Sequence, residues 1–416
     1  MAANLDLDEY RAEAEEHLRS PGAAADARHA GLFTAGRVTA LEALAAAGGP
    51  RARNLARYAA EGHLRLASAA EVARIQEELR APMPGGLTLL DVDAALAAEP
   101  SAQRRRELQA ERLRAIGGRL PSAVSDAEVR RTMAAHELDA PTAAELIARV
   151  AGLDLRAVAA LGATVLDAGD DEVGRRVGDL DAADLPRVLR APDLGDALPG
   201  AGAREALERT CELLGVAAPA VAPSASGLAG YAEALRLGGL ALASAGVSAR
   251  LPVEARRLGD PALAQATAFL LEGLLTEPGW LVRVLDASDP VRVAAPASTL
   301  RLLATRAAAA RAAALGGGAR EELMSRALGI PWPGELTLLD GLAGVAAADA
   351  IRGRALAALL RRHLRETAGD RWFADARAAA LLRELWLEGG DLTPEGIAGD
   401  LGADDLGAAL IAAGED

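Results

Sequence analysis

Residues 260–275 read DPALAQATAFLLEGLL, and this stretch decides the fold class. Asp260 is a capping residue, and Pro261 suits the first helical position, where a missing N–H costs nothing. The residues after them are apolar at three- and four-residue spacing, the period of one helix face. The same start recurs at Thr393-Pro394-Glu395. Comparable periodicity covers residues 6–19, 36–47, 50–80, 101–116, 125–137, 141–149 and 154–168. It continues over 184–190, 201–214, 228–245, 260–275, 278–286, 296–315, 318–328, 342–367, 374–389 and 394–401. The breaks carry Gly, Pro or Ser, as at Ser20-Pro21-Gly22, Gly48-Gly49-Pro50 and Gly117-Gly118. No stretch alternates with period two, and 216–227 is the one candidate for short extended structure. No fixed repeat is present. The expectation is an all-α fold with little or no β-structure. It forms one helical domain over 1–416, divisible into lobes 1–200 and 201–416.

Composition narrows the chemistry. The chain has 416 residues, 51% hydrophobic but only 2% aromatic, so Ala and Leu must fill most of the core. There is no lysine, which excludes Schiff-base chemistry and a P-loop lysine. The net charge is -14, and Arg is interspersed with acidic residues as on solvated helix faces. With no basic patch carrying aromatics, nucleic acid is not an expected partner. The single Cys211 cannot form an internal disulfide, which fits a reducing cytoplasm. The acidic start MAANLDLDEYRAEAEEH is unlike a signal peptide. The longest uncharged run, 213–232, contains Pro219 and Pro223, so no membrane helix is expected.

Catalytic motifs are missing. The histidines are His17, His29, His63, His136 and His363, and no two lie four apart on a helix. His136-Glu137 begins like HExxH, but position 140 is Ala, so this pair reads as ordinary surface. Ser224-Ala225-Ser226-Gly227 lacks the first glycine of a nucleophile elbow. Gly200-Ala201-Gly202 does not continue as a dinucleotide loop, and Gly316-Gly317-Gly318 reads as a turn. Acidic pairs such as Asp170-Asp171 and Asp404-Asp405 read as solvated. No catalytic residue, metal ligand or cofactor is assigned.

Three groups of segments nevertheless resemble the helical zinc metallopeptidases of the thimet oligopeptidase and oligoendopeptidase F type. The first comprises LRETAGDRWF (364–373), ALLRELW (380–386) and GGDLTPE (389–395), similar to that family's closing helices. The second comprises Leu251-Pro252-Val253-Glu254, Arg256 to Asp260, Ala268 to Leu271 and Trp280-Leu281. The third comprises Ala98-Glu99-Pro100, Arg104-Arg105-Arg106 and Asp184 to Arg187. The resemblance implies a large multi-helix fold around a cleft. The family's zinc is held by the two His of HExxH and a glutamate on the next helix, and the motif Glu activates water.

Those residues are absent here. Counting back from Leu251-Pro252 places the motif on Arg236-Leu237-Gly238-Gly239-Leu240. Counting forward places the distal glutamate on Gln265. The former zinc-site positions are thus Arg236, Leu237, Leu240 and Gln265, none suited to zinc. The transition-state tyrosines of the family fall on Ala346 and Ala350, which cannot stabilise an oxyanion. The resemblance therefore implies a pseudoenzyme that binds or scaffolds a protein or peptide partner, an active metallopeptidase paralogue among the candidates. Another reading is a hydrolase with non-metal chemistry in the old cleft, since a triad assembled in space need not show in sequence. A third is a relic without activity. If the register holds, helix 228–245 crosses helix 260–275 near Gly238, Gly239 and Gln265. Leu237 and Leu240 then fill the former zinc space with Leu240 buried, and Arg236 leans outward or meets Glu233 or Glu272.

Overall fold

The computed structural model describes residues 5–177, 180–194, 198, 202–403 and 406–415. Gly200-Ala201 and Asp404-Asp405, singled out above, lie outside the described residues. The fold is all-α: 77% helical, with 23 α-helices and no strand among the described residues. An isolated bridge joins Pro82 and Thr88. Residues 216–226 run without helix or strand. No described helix is long and apolar enough to cross a membrane.

The chain opens with α1 (Leu7–Arg19), α2 (Ala23–Arg28), α3 (Ala35–Ala47), α4 (Pro50–Ala67), α5 (Ala69–Arg80) and α6 (Val92–Ala98). There follow α7 (Ala102–Arg119), α8 (Pro121–His136), α9 (Ala143–Ala151), α10 (Leu155–Ala168), α11 (Asp170–Val177) and α12 (Leu185–Arg190). Next come α13 (Ala203–Leu213), α14 (Gly227–Ala245), α15 (Val253–Arg256), α16 (Pro261–Glu272), α17 (Pro278–Leu285) and α18 (Pro290–Ala313). The chain closes with α19 (Arg320–Leu328), α20 (Ala346–Ala368), α21 (Ala376–Glu388), α22 (Pro394–Asp400) and α23 (Leu406–Glu415).

The capped starts form as their residues dictate. Asp260 accepts from the Ala262 N–H at 2.9 Å, and Thr393 from the Gly396 N–H at 3.1 Å. Asp289-Pro290 carries the same signal, and α18 begins there rather than at 296, with Pro296 inside the helix. The 50–80 pattern is two helices. Ser68 leaves helical geometry (φ -111, ψ 13), and its hydroxyl donates to Leu64 O at 3.0 Å. Helix α11 was hidden in what reads as a solvated acidic pair. Its acidic first turn and its Arg175 and Arg176 last turn match the helix dipole.

One large apolar cluster runs from Tyr10 through Trp280 and Trp372 to Leu410. A smaller one gathers Ile75, Val92, Leu96, Leu120 and Val124 beneath α5 to α8. Small residues let helices approach backbone to backbone. A Cβ on Gly239 of α14 would lie 2.5 Å from Ala268 Cα on α16. A Cβ on Gly353 of α20 would lie 3.0 Å from Ala262 O, also on α16. A Cβ on Gly162 of α10 would lie 2.5 Å from Ala309 O on α18.

Arg306 fastens three helices in the interior. Its side chain is 1% exposed. Its guanidinium donates to Leu166 O (2.9 Å) at the end of α10, to Arg326 O (3.1 Å) and Ala327 O (2.9 Å) at the end of α19, and to Asp170. It thus caps two carboxyl-terminal helix ends, adding to the Gly169 N–H that already reaches Leu166 O at 3.4 Å. Arg306→Met keeps the volume but removes the donors to these acceptors, although Asp170 keeps Arg326. It should cost about 3–5 kcal/mol in urea unfolding, as for removal of one partner from a buried ionic network.

Candidate functional site

Helices α14, α16 and α20 form a layer with α16 in the middle, and every former zinc-site position lies on it. Gly238 and Gly239 set the orientation of α14. A Cβ on Gly238 would strike Leu207 Cδ1 of α13 at 2.4 Å, while Gly239 faces α16. Two successive positions so closely packed turn the flanking residues toward the edge of the layer. Arg236 is exposed, and Leu237 and Leu240 are half-buried. Burial of Leu240 is therefore corrected: the glycines, not the leucines, make the α14–α16 contact. Arg236 leans outward, as one of the two expected outcomes had it.

Nearby polar groups are unevenly satisfied. Burial alone would raise the Glu233 carboxyl, but it is lowered overall by the Ala225 and Ser224 hydrogen bonds and by Arg236. Glu233 accepts from the Ser224 N–H (2.8 Å), the Ala225 N–H (2.8 Å) and the Ser224 hydroxyl (2.9 Å). It thereby ties the extended 216–226 segment to α14. Gln265 is half-buried, with Oε1 enclosed and lacking a hydrogen-bond partner. Its Cβ lies 2.9 Å from where a Cβ on Gly353 would be. The next residue, Arg354, is buried and feels the charge of Arg236. Burial pushes its guanidinium down, Glu272 opposes this and Arg236 adds to it. Consecutive residues of α20 thus meet Gln265 and the field of Arg236. Ala346 is exposed and Ala350 half-buried, both near the start of α20.

No three His, Cys, Asp or Glu side chains among the described residues are placed to hold a metal ion. Three of the histidines bond within the protein. His17 bonds Asp26 (2.7 Å) and Tyr58 (2.8 Å), and His63 bonds Phe33 O (2.9 Å). His136 is exposed and bonds Pro141 O at 3.1 Å.

A cavity of about 280 Å³ opens on another flank of the layer, between α14, α16, α20 and α21. Leu263, Leu356, Leu360, Leu385, Trp386 and Ile397 give it apolar walls. Its polar groups are engaged elsewhere. Thr267 accepts from the Trp386 indole N–H at 3.1 Å, and the Ser244 hydroxyl donates to Leu240 O at 2.9 Å. Asp260 accepts from the Arg352 guanidinium at 2.7 and 3.2 Å. Arg257 donates to Leu18 O at 2.7 Å, and Arg256 pairs with Glu15.

Under this cavity runs an ionic seam that the sequence reading missed. Arg352 also pairs with Glu395, with two bonds of 2.8 Å. Asp349 accepts from Arg57 of α4 at 2.6 and 3.0 Å. Asn54 donates to Glu254 O (3.1 Å) and Gly390 O (3.0 Å), and buried Glu254 accepts from Arg11 at 2.7 Å. One signal was present: Asp349, Arg352 and Arg354 crowd one short stretch of an Ala- and Leu-rich helix. Their partners lie up to 292 positions away in sequence, beyond the reach of any local pattern.

No family model matches this chain, and no curated protein matches it.

Two substitutions separate the glycine contact from the leucine stripe. Gly239→Leu should destabilise the fold by roughly 3 kcal/mol or prevent folding, because backbone on α16 cannot yield. Leu240→Ala should cost only about 1 kcal/mol, as befits a half-buried side chain. Urea denaturation of both variants checks the order.

Proposed function

We propose that this chain is a non-catalytic binding or scaffolding protein on a metallopeptidase-like helical frame. The observation that carries the reading is the apolar cavity whose polar lining is already engaged. Catalysis requires a nucleophile or water activated by a neighbouring base. Ser244 donates to a backbone carbonyl, Thr267 is held by Trp386, and Asp260 is neutralised by Arg352. The residues at the former zinc positions offer no pair of imidazoles and no general base. What remains is shape and apolar surface, which support binding.

At about 280 Å³ the cavity falls at the small end of ligand pockets. It suits one or two apolar side chains of a partner polypeptide better than a large cofactor. Arg256, Arg257 and Asp260 supply a charged border around the apolar centre, the arrangement of many protein interfaces. The family resemblance makes an active metallopeptidase paralogue a partner to test first.

Three measurements test the reading. Full-length protein should hold no stoichiometric zinc, and chelator should leave its melting temperature unchanged. One-to-one zinc with a chelator-sensitive melt would overturn the pseudoenzyme reading, since bound structural zinc stabilises strongly. Ala264→Phe, which fills the cavity from α16, should abolish a stoichiometric complex with such a paralogue while the protein stays folded. Chelator-resistant turnover of a peptide or ester that Ser244→Ala removes would establish the hydrolase reading instead.

A further inference from the structure

Phe33 sits on α4 where no side chain could. A Cβ on Gly62 would lie 2.1 Å from the Phe33 ring, so the ring rests directly on the helix backbone. This seat holds the short turn Ala30–Phe33 against α4 and brings Phe33 O to 2.9 Å from His63 Nδ1. A carbonyl oxygen only accepts, so Nδ1 carries the proton. In the neutral ring the other nitrogen, Nε2, is then a bare acceptor. It is enclosed and has no hydrogen-bond partner. The Glu137 carboxylate, at the end of α8, lies 3.7 Å from it. Two acceptors therefore stand across a gap slightly too wide for a hydrogen bond.

One proton changes this contact in kind. On Nε2 it supplies the donor that both acceptors lack, and the resulting ion pair can close to hydrogen-bond distance. Glu137 has room to make that move, with its side chain 65% exposed. It opens the turn between α8 and α9, in which Asp139 holds a left-handed backbone (φ 53). From the α9 side Arg149 holds this turn, donating to Leu138 O at 2.6 Å and Asp139 O at 3.1 Å. Towards α4 its ionic contact is the His63–Glu137 pair.

Charged groups on the other elements around this part of α4 are turned to other partners. On α1 and α2, His17 bonds Asp26, which also accepts from Arg65 at 3.2 and 3.3 Å, and His29 lies 3.4 Å from Glu13. Between α3 and α9, Glu42 pairs with Arg149 at 2.6 Å. On α8, Arg131 donates to Leu342 O at 2.6 Å. His136, beside Glu137, bonds Pro141 O through Nε2 at 3.1 Å. That nitrogen donates whether or not the ring is charged.

We propose that His63 and Glu137 form a proton-operated latch between α4 and the α8–α9 turn, loose while the ring is neutral and closed once it is protonated. Histidine changes charge between about pH 5 and 8, so the latch closes on mild acidification and opens as the pH rises. It is independent of the apolar cavity and of the binding role proposed there.

The experiment measures backbone hydrogen exchange of the full chain across residues 133–142. It is run at about pH 5.5 and about pH 7.5, on either side of histidine titration, with each rate corrected for intrinsic exchange at that pH. The wild type should be about two- to fivefold better protected at the lower pH, the range of one partly exposed ion pair. His63→Gln keeps a donor for Phe33 O but takes up no proton. Glu137→Gln keeps the shape and loses the charge. Either should abolish the difference. Glu137 is exposed, so its variant tests the latch even where His63→Gln fails to fold. No difference in the wild type, or an undiminished one in Glu137→Gln, would overturn the latch. A difference that His136→Gln removes and Glu137→Gln leaves would overturn it as well, and would move the switch to His136.

Discussion

Helix α16 is gripped on two sides by backbone, and the rest of the layer is arranged around that grip. Gly239 of α14 seats on Ala268 and Gly353 of α20 on Ala262, in both places without room for a methyl group. Close approach of this kind follows from composition. A chain with few aromatic residues cannot fill wide gaps between helices, so it must bring the helices together. Dispersion contacts between backbones then replace those that large side chains make elsewhere. The geometry is unforgiving, because neither backbone can move aside as a flexible side chain could.

Arginine completes what small apolar residues cannot. With no lysine in the chain, every long cation is a planar fork able to bind two acceptors at once. Arg306 uses its fork to close the ends of α10 and α19. Arg57 and Arg352 use theirs to bind carboxylates brought from distant segments, tying α4, α16, α20 and α22 together. Such pairs are poor contributors to net stability compared with apolar packing, but they are selective about which helix meets which. In an Ala-rich interior, where many helix pairings bury similar surfaces, that selectivity matters.

The same layer has two unlike flanks. One is apolar, with its hydroxyls and carboxylate already bonded to the protein. The other is charged, with Arg361 held by Glu277 and Arg354 standing 3.7 Å from Glu272.

The sequence by itself determined the all-α class and most helix starts, because caps, first-turn prolines and the three-to-four spacing act locally. Asp260-Pro261 and Thr393-Pro394 began helices where they predicted them, and Asp289-Pro290 carried the same signal unread. Only the tertiary structure decided which positions are inside. Leu240 reads as core by its chemistry yet lies half-buried, because Gly238 and Gly239 take the contacts with α13 and α16. Arg306 reads as surface yet is enclosed. Whether a charge can be buried depends on the acceptors that surround it, and those come from helices far apart in the chain.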